Sequence, residues 1–262
     1  MTTAVGDARL TVALGEYDTG WHDPRASIAT ADRLVERVSS IGVNLVVLPE
    51  MATTGFTMEA DRAVPVESDD VRALQRIAAR NRVWLVAGVA LRTDDASSCA
   101  TNAAIAIDPS GTIAAVHHKR RLFALGGEDR AYRSGDHSTI VEIDGVRFGL
   151  FICYELRFAE VFAEVAEDVD GMIVIANWPV TRQEHWDALL RARAIENQCF
   201  VIGVNRTGVA DGLTYSGGSV VYDPWGARVP AAVASGVRVA TVSSAKTRDV
   251  RAKYPFLCDR QM

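Results

Sequence analysis

Cys153 has the residue type and the sequence position of a nucleophile. It follows an apolar run at 148–152 and precedes a polar stretch at 154–158, where a helical pattern begins. At a junction between a strand and a helix, the N–H groups of the helix can stabilise both a thiolate and a developing oxyanion. Most free cysteines are instead buried and behave as small hydrophobic residues. The catalytic interpretation of Cys153 therefore requires a base and an oxyanion partner elsewhere in the chain.

Glu50 and Lys119 supply those groups at the ends of two other predicted strands. Glu50 comes just after the apolar run 45–48, and a carboxylate at the end of a buried strand needs a partner or a function. Lys119 follows a hairpin strand and opens a basic loop. A glutamate can take a thiol proton and activate water, a lysine can hold an oxyanion, and a cysteine can form a thioester. Either charge alone would be interpreted as solvated, but with Cys153 the two predict covalent catalysis.

Other nucleophilic arrangements have weaker support. The chain has no GxSxG motif, so a serine hydrolase of that type is not indicated. A papain-like cysteine–histidine pair stays open in principle. We expect the available histidines to be surface or loop residues; they are His117, His118, His137 and His185.

The elements that position these residues alternate between strand and helix in the first half of the chain. Hydrophobic periodicity predicts strands at 10–17, 43–48 and 83–92, with helices at 24–40 and 69–82 between them. This rhythm predicts an α/β fold with layered sheets and helices. In such folds, functional groups gather beyond the carboxyl ends of the strands.

The second half begins with hairpins and then returns to alternation. Two antiparallel hairpins are predicted, one from the strands 101–107 and 112–118, the other from 139–143 and 146–152. A last hairpin is expected between strands near 218–222 and 237–242. The remaining predicted elements are a helix near 158–166, a strand at 171–176, a helix near 183–197 and a strand at 200–205.

Composition limits the class of protein. The chain has 262 residues, 48% of them hydrophobic and 23% charged, and no linker-like segment divides it, so we expect one domain over 1–262. Its net charge is 28 − 33 = −5, which does not favour nucleic acid or an anionic membrane as a partner. The apolar runs are shorter than the ~20 residues of a transmembrane helix.

Localisation is predicted from the N-terminus and the cysteines. The segment 1–9 lacks the pattern of a secretory signal. The four cysteines are widely spaced and form no CxxC motif, which indicates neither a zinc site nor a disulfide scaffold; they are Cys99, Cys153, Cys199 and Cys258. We therefore expect a cytoplasmic protein.

Three motifs resemble the nitrilase, or carbon–nitrogen hydrolase, superfamily. They are LVVLPEMATTGF around Glu50, HHKRRLF around Lys119 and FICYELRFAE around Cys153, in the superfamily's order Glu, Lys, Cys. The similarity continues through 177–208 and the string YSGGSVVYDPWG, so it covers nearly the whole chain. The resemblance implies a four-layer αββα sandwich that hydrolyses a non-peptide carbon–nitrogen bond of a small-molecule amide, without a metal or an organic cofactor.

The same resemblance implies a role for each site residue. Glu50 is then the general base, Lys119 the oxyanion stabiliser and Cys153 the nucleophile. Glu128, in the string GGEDRAY, is the best match to a second glutamate that many members use. The backbone N–H of Tyr154 would be the second oxyanion donor.

Within the superfamily, the sequence is most similar to bacterial omega-amidases, which deamidate 2-oxoglutaramate and similar omega-amides. Glu155 is a departure, because relatives commonly carry Asp there. The distal carboxylate of such a substrate needs a cation. The candidates are Arg182, Arg133 and Arg157, of which we expect Arg157 to be structural. Two aromatic residues are expected to form the pocket wall; they are Trp178 and Phe123.

The sequence motifs fit several other functions. An N-carbamoyl amine hydrolase, an aliphatic amidase and a nitrilase would share the same catalytic residues. A non-catalytic binding or scaffold protein on this fold is the alternative of another class. The resemblance also implies a homodimer or a higher homo-oligomer, with the helix near 183–197 and the C-terminal tail at the contact.

Overall fold

The computed structural model of the chain describes residues 7–93 and 99–261. Its strands are β1 (Arg9–Leu14), β2 (Leu45–Val47), β3 (Trp84–Arg92), β4 (Ala100–Ile107), β5 (Ile113–His118), β6 (Thr139–Ile143), β7 (Val146–Ile152), β8 (Gly171–Ala176), β9 (Phe200–Asn205), β10 (Thr207–Ala210), β11 (Leu213–Ser216), β12 (Val220–Tyr222), β13 (Ala232–Ala234) and β14 (Val237–Ser243). Its α-helices are α1 (Pro24–Ser39), α2 (Asp69–Asn81), α3 (Glu128–Ala131), α4 (Ala159–Ala163), α5 (Gln183–Asn197) and α6 (Ser244–Lys253). Segment 1–9 was predicted to lack a secretory signal, and residues 1–6 of that segment lie outside the described residues.

Two large sheets organise these strands. The first has the order β13-β14-β1-β2-β3-β4-β5 and the second β12-β9-β8-β7-β6, while β10 and β11 form a separate hairpin. β1, β2 and β3 are parallel, as are β7, β8 and β9, and antiparallel strands complete both sheets. Most residues of the parallel strands are buried because helices and a second sheet cover both faces.

The two sheets pack face to face with helices outside them. Side chains from both sheets share one apolar core; it includes Leu10, Val12, Leu45, Val86, Phe148, Ile152, Ile173 and Ile202. A second core joins α1 and α2 to the outer face of the first sheet. A third joins α4 and α5 to the outer face of the second sheet. The predicted four-layer αββα sandwich is therefore confirmed.

Local sequence signals explain where the first helices begin. The Asp23 side chain accepts a hydrogen bond from the Ala26 N–H at 3.0 Å, and Pro24 occupies the first turn, where its missing N–H costs nothing. The Ser68 side chain caps α2 by accepting from the Val71 N–H. No helix among the described residues is long and apolar enough to cross a membrane.

The last predicted hairpin is wrong. β12 pairs with β9 in the second sheet, whereas β14 pairs with β1 and β13 in the first. The turn signal after Tyr222 ends a strand, but the chain then crosses from one sheet to the other. The hairpin of β10 and β11 and the helix α6 were not predicted from the sequence. Strand patterns alone do not specify partners, since several apolar strands fit either sheet.

Candidate active site

Glu50 lies just after β2 and is fully buried. Its Oε1 accepts hydrogen bonds from Asn102 Nδ2 at 2.7 Å and from Lys119 Nζ at 2.8 Å. Its Oε2 accepts from the Asn177 backbone N–H at 2.9 Å. Side chains from the first sheet therefore fix Oε1, and a backbone N–H from the second sheet fixes Oε2.

Gly88, on the neighbouring strand β3, leaves the space that the backbone of Glu50 and Met51 occupies. A Cβ added to Gly88 would lie 2.4 Å from the Met51 nitrogen and 2.5 Å from the Glu50 Cα, both backbone atoms. Met51 itself has a left-handed φ of 44°. The chain thus turns sharply after β2, directly against β3, and this turn aims Glu50 inward.

Lys119 links Glu50 to Glu128. Its Nζ lies 2.9 Å from each carboxylate oxygen of Glu128, and all three side chains are fully buried. The Phe123 N–H donates to Glu128 Oε2 at 2.7 Å, and Asn102 Nδ2 donates to Oε1 at 2.7 Å. One ammonium group therefore stands between two carboxylates, each of which has further donors.

Cys153 follows β7 and opens a short 3-10 helix, Cys153–Arg157. Its φ is +48°, a left-handed conformation that costs a non-glycine residue about 1–3 kcal/mol and is typical of functional sites. The Sγ atom lies 3.9 Å from the Asn177 carbonyl oxygen and the residue is partly exposed. The N–H groups in the first turn of a helix have no intrahelical partner, so the Tyr154 N–H can serve as an oxyanion donor.

The electrostatics assign a resting protonation state. Burial alone would raise the pKa of Glu50, but the Lys119 charge and the hydrogen bonds outweigh it and hold this pKa below its ordinary value. Burial and the nearby Glu50 charge raise the pKa of Cys153 well above its ordinary value. Burial opposes the charge of Lys119, but Glu128 and Glu50 raise its pKa. The site therefore rests as a neutral thiol beside a charged glutamate and a charged lysine.

An open cleft exposes the cysteine. It is narrow, with a free volume of about 40 Å³. It is lined by Phe56, Phe123, Cys153, Tyr154, Arg157, Asn177, Trp178, Pro179, Arg182, Leu213 and Tyr215. The Arg182 guanidinium lies 5.7 Å from the Phe123 ring centroid, and that of Arg157 lies 4.9 Å from the Trp178 centroid. Two cations and an aromatic wall thus face the thiol.

Some predicted residues lie elsewhere. Arg133 lines a different, open cavity together with Arg92, Arg130 and Tyr132, so it does not join Arg182 in the cleft. Arg157, which was expected to be structural, does line the cleft. His117 is fully buried, so its expected surface or loop position is wrong.

Sequence reasoning also missed several residues that hold the site. Asn102 follows Thr101 in the fully buried strand β4, whose other residues are apolar, and this buried amide was the available signal. Asn177 comes directly after β8, and Glu50 comes three residues after the end of β2. Glu155, noted only as a departure from relatives, is buried and hydrogen-bonded to His117. Among residues 7–93 and 99–261, no group of three or more His, Cys, Asp or Glu side chains is arranged to hold a metal ion.

The fold and the site together define a class: the chain belongs to the carbon-nitrogen hydrolase family, whose sequence model matches residues 11–252. It is 36% identical over 249 residues to the omega-amidase YafV of Escherichia coli (strain K12), covering 94% of each chain. It is 32% identical over 255 residues to the 2-oxoglutaramate amidase of Bacillus subtilis (strain 168), covering 95% of this chain and 96% of that one.

A solved structure agrees with these relatives. XC1258 from Xanthomonas campestris, a CN-hydrolase superfamily protein with an arsenic adduct in its active site, superposes with a TM-score of 0.86. The two sequences are 35% identical, and the match covers 96% of this chain and 97% of that one. The resemblance inferred from the three motifs is thereby confirmed.

Proposed function

We propose that this carbon–nitrogen hydrolase is an omega-amidase that releases ammonia from a small omega-amide acid such as 2-oxoglutaramate through a Cys153 thioester. The observation that carries the proposal is the Glu50–Lys119–Glu128 cluster beside Cys153, in a cleft that also contains two arginines. The names of two relatives, omega-amidase and 2-oxoglutaramate amidase, support the substrate class.

The first half-reaction forms the acyl-enzyme. Glu50 accepts the thiol proton as Cys153 Sγ attacks the amide carbon, and Lys119 with the Tyr154 N–H stabilises the oxyanion. The neutral Glu50 then gives its proton to the departing nitrogen, and ammonia leaves. The charge of the cluster is −1 before attack, from two carboxylates and one ammonium. It is still −1 in the tetrahedral state, because the negative charge moves from Glu50 to the oxyanion.

The second half-reaction hydrolyses the thioester. Glu50 takes a proton from water, whose oxygen attacks the thioester carbon, and the same two donors stabilise the second oxyanion. The intermediate collapses, the sulfur leaves, and it recovers its proton from Glu50. Glu128 takes no proton; it balances the Lys119 charge and fixes the position of the ammonium group.

The arginines in the cleft suit the far end of the substrate. An omega-amide acid has a carboxylate, and a guanidinium can bind it through two parallel hydrogen bonds. Arg182 and Arg157 lie on the cleft wall against aromatic rings, which restrict the positions of their guanidinium groups. Phe123 and Trp178 form the apolar wall for the chain between amide and carboxylate.

The test is ammonia release from a panel of substrates by the purified protein. We expect turnover of 2-oxoglutaramate to exceed that of glutamine, a simple aliphatic amide, a carbamoyl amine and a nitrile. Cys153→Ala and Cys153→Ser should abolish turnover and leave the fold intact. Carbon dioxide released with ammonia from the carbamoyl amine would instead indicate a carbamoyl hydrolase. Wild-type turnover by Cys153→Ala would refute the mechanism.

We also propose a homodimer in a reducing cytoplasm. Exposed apolar side chains lie near the end of α5 and in the C-terminal tail, and Trp225 packs against Tyr254 at 4.7 Å between centroids; the exposed set includes Ile195, Trp225 and Phe256. Light scattering should give twice the 28.3 kDa chain mass, and Ile195→Glu with Phe256→Glu should lower it to one chain. A reducing compartment would keep Cys153 as a thiol.

A further inference from the structure

A third buried carboxylate, besides those of Glu50 and Glu128, joins the two sheets next to the site. Glu155 is fully buried, and its Oε2 accepts from the Ile152 N–H at 2.6 Å. Its Oε1 accepts from the Arg120 N–H at 2.9 Å. His117 Nε2 lies 3.1 Å from Oε2 and 3.3 Å from Oε1. Three N–H donors from two sheets therefore converge on one carboxylate.

These donors are the immediate neighbours of the reacting groups. Ile152 precedes Cys153, so the hydrogen bond from its N–H to Glu155 closes a small ring around the cysteine. Cys153 has its left-handed φ of 48° within that ring. Such a conformation persists only where the surroundings fix it, and Glu155 provides a contact that does so.

Lys119 is restrained in the same way from the first sheet. Its N–H donates to the Asn102 carbonyl at 2.8 Å, and its carbonyl accepts from the Gly135 N–H at 2.9 Å. The next N–H, that of Arg120, donates to Glu155. The peptide groups on both sides of the lysine are thus fixed, one of them by the carboxylate that also restrains the cysteine.

We propose that Glu155, with His117, is a positioning residue that keeps the Cys153 thiol and the Lys119 ammonium in register across the two sheets. The roles of Cys153 and Lys119 rest on the proposed function; the hydrogen-bonded arrangement does not. His117 comes from β5 and its Nδ1 lies 3.4 Å from Thr139 Oγ1 on β6. β5 and β6 are edge strands of different sheets, so the histidine links the two sheets at these edges.

The first experiment replaces Glu155 in the full-length chain. Glu155→Gln keeps the size but presents an NH₂ group to one of three converging donors. We expect the iodoacetamide alkylation rate of Cys153 and kcat each to fall by about 10- to 100-fold, the scale of a misplaced reacting group, with KM changed less than about threefold. Glu155→Asp keeps the carboxylate and should retain more of both rates. Glu164→Gln is the matched control. The exposed Glu164 carboxylate also binds Arg120, but it binds the guanidinium group and not the backbone N–H.

His117 provides a second, independent measurement. His117→Phe removes the donor and should lower both rates, whereas His117→Gln keeps an N–H near the Nε2 position and should restore them. The double variant His117→Phe with Glu155→Gln should be no slower than Glu155→Gln alone, because both act through one carboxylate. If Glu155→Gln does not fold, the difference in rates between His117→Phe and His117→Gln tests the proposal.

Wild-type alkylation and kcat in folded Glu155→Gln would overturn the proposal. Equal rates for the two His117 variants, or losses that multiply in the double variant, would also overturn it. Alkylation needs no substrate, so a chain that hydrolyses none of the tested amides would refute the proposed function and leave this test unaffected.

Discussion

Asn177 binds Glu50 through both its backbone and its side chain. Its N–H donates to Glu50 Oε2 at 2.9 Å, and its Nδ2 donates to the Glu50 carbonyl at 2.7 Å and to Oε2 at 3.2 Å. The Asn177 carbonyl oxygen lies 3.9 Å from Cys153 Sγ. One residue at the end of β8 therefore contacts both the proposed base and the proposed nucleophile.

We predict that Asn177→Ala lowers kcat by about 10- to 100-fold. The variant keeps the backbone N–H but loses both side-chain hydrogen bonds, so Glu50 can rotate away from the thiol. Steady-state kinetics on the preferred amide will measure the effect, and KM should change little. Asn44→Ala is the control, because Asn44 holds the Thr11 N–H at the opposite end of β2. An Asn177→Ala enzyme as fast as wild type would show that Glu50 is fixed without it.

Gly88→Ala should be far more harmful than a glycine substitution elsewhere in the sheets. The new Cβ would meet backbone atoms of Glu50 and Met51 at 2.4–2.5 Å, so the chain after β2 must move. We expect a loss of about 1–3 kcal/mol in unfolding free energy and at least about 100-fold in kcat. Gly149→Ala on β7 is the control, since its nearest neighbours are side-chain atoms at 3.0 Å or more. Equal kcat losses in both variants would contradict this prediction.

The activity should stay level across mildly acidic pH. The Glu50 pKa is lowered from 4.5, so the base remains a carboxylate at every pH above that value. A lowered pKa also means that the stabilisation from charged Glu50 is present above the unfolded pKa and is lost as the pH falls through the folded value. We expect a flat kcat/KM from about pH 5.5 to 8. An acid limb centred near pH 6.5 would contradict a low Glu50 pKa.

The arginines should separate acidic from neutral substrates. Arg182→Gln removes a cation from the cleft, so KM for 2-oxoglutaramate should rise by about 10-fold or more, while KM for a neutral aliphatic amide should stay within about twofold. Arg133→Gln is the matched control, because Arg133 lines a different cavity. Equal KM changes for acidic and neutral amides in Arg182→Gln would show that this arginine does not bind the carboxylate.

Local patterns predicted the buried strands and the long helices well. The structure has β8, β9 and α5 at the predicted residues, because an uninterrupted apolar run or a helical pattern specifies the element without reference to its partners. The prediction of the last hairpin was wrong because strand pairing, unlike the strand itself, is not specified locally. β12 and β14 are joined by a turn-like segment, and pairing them in one sheet or separating them depends on contacts far away in sequence.

The sequence by itself determined that Glu50, Lys119 and Cys153 lie beyond strand ends, since each follows a predicted strand in a recognisable motif. Only the tertiary structure decided what holds them. The polar residues that hold them come from strands or strand ends far apart in the chain; they are Asn102, His117, Glu155 and Asn177. Their polar groups meet only when the two sheets pack. Buried polar groups need hydrogen-bond partners, and a local sequence pattern does not show which residues of the other sheet will be those partners.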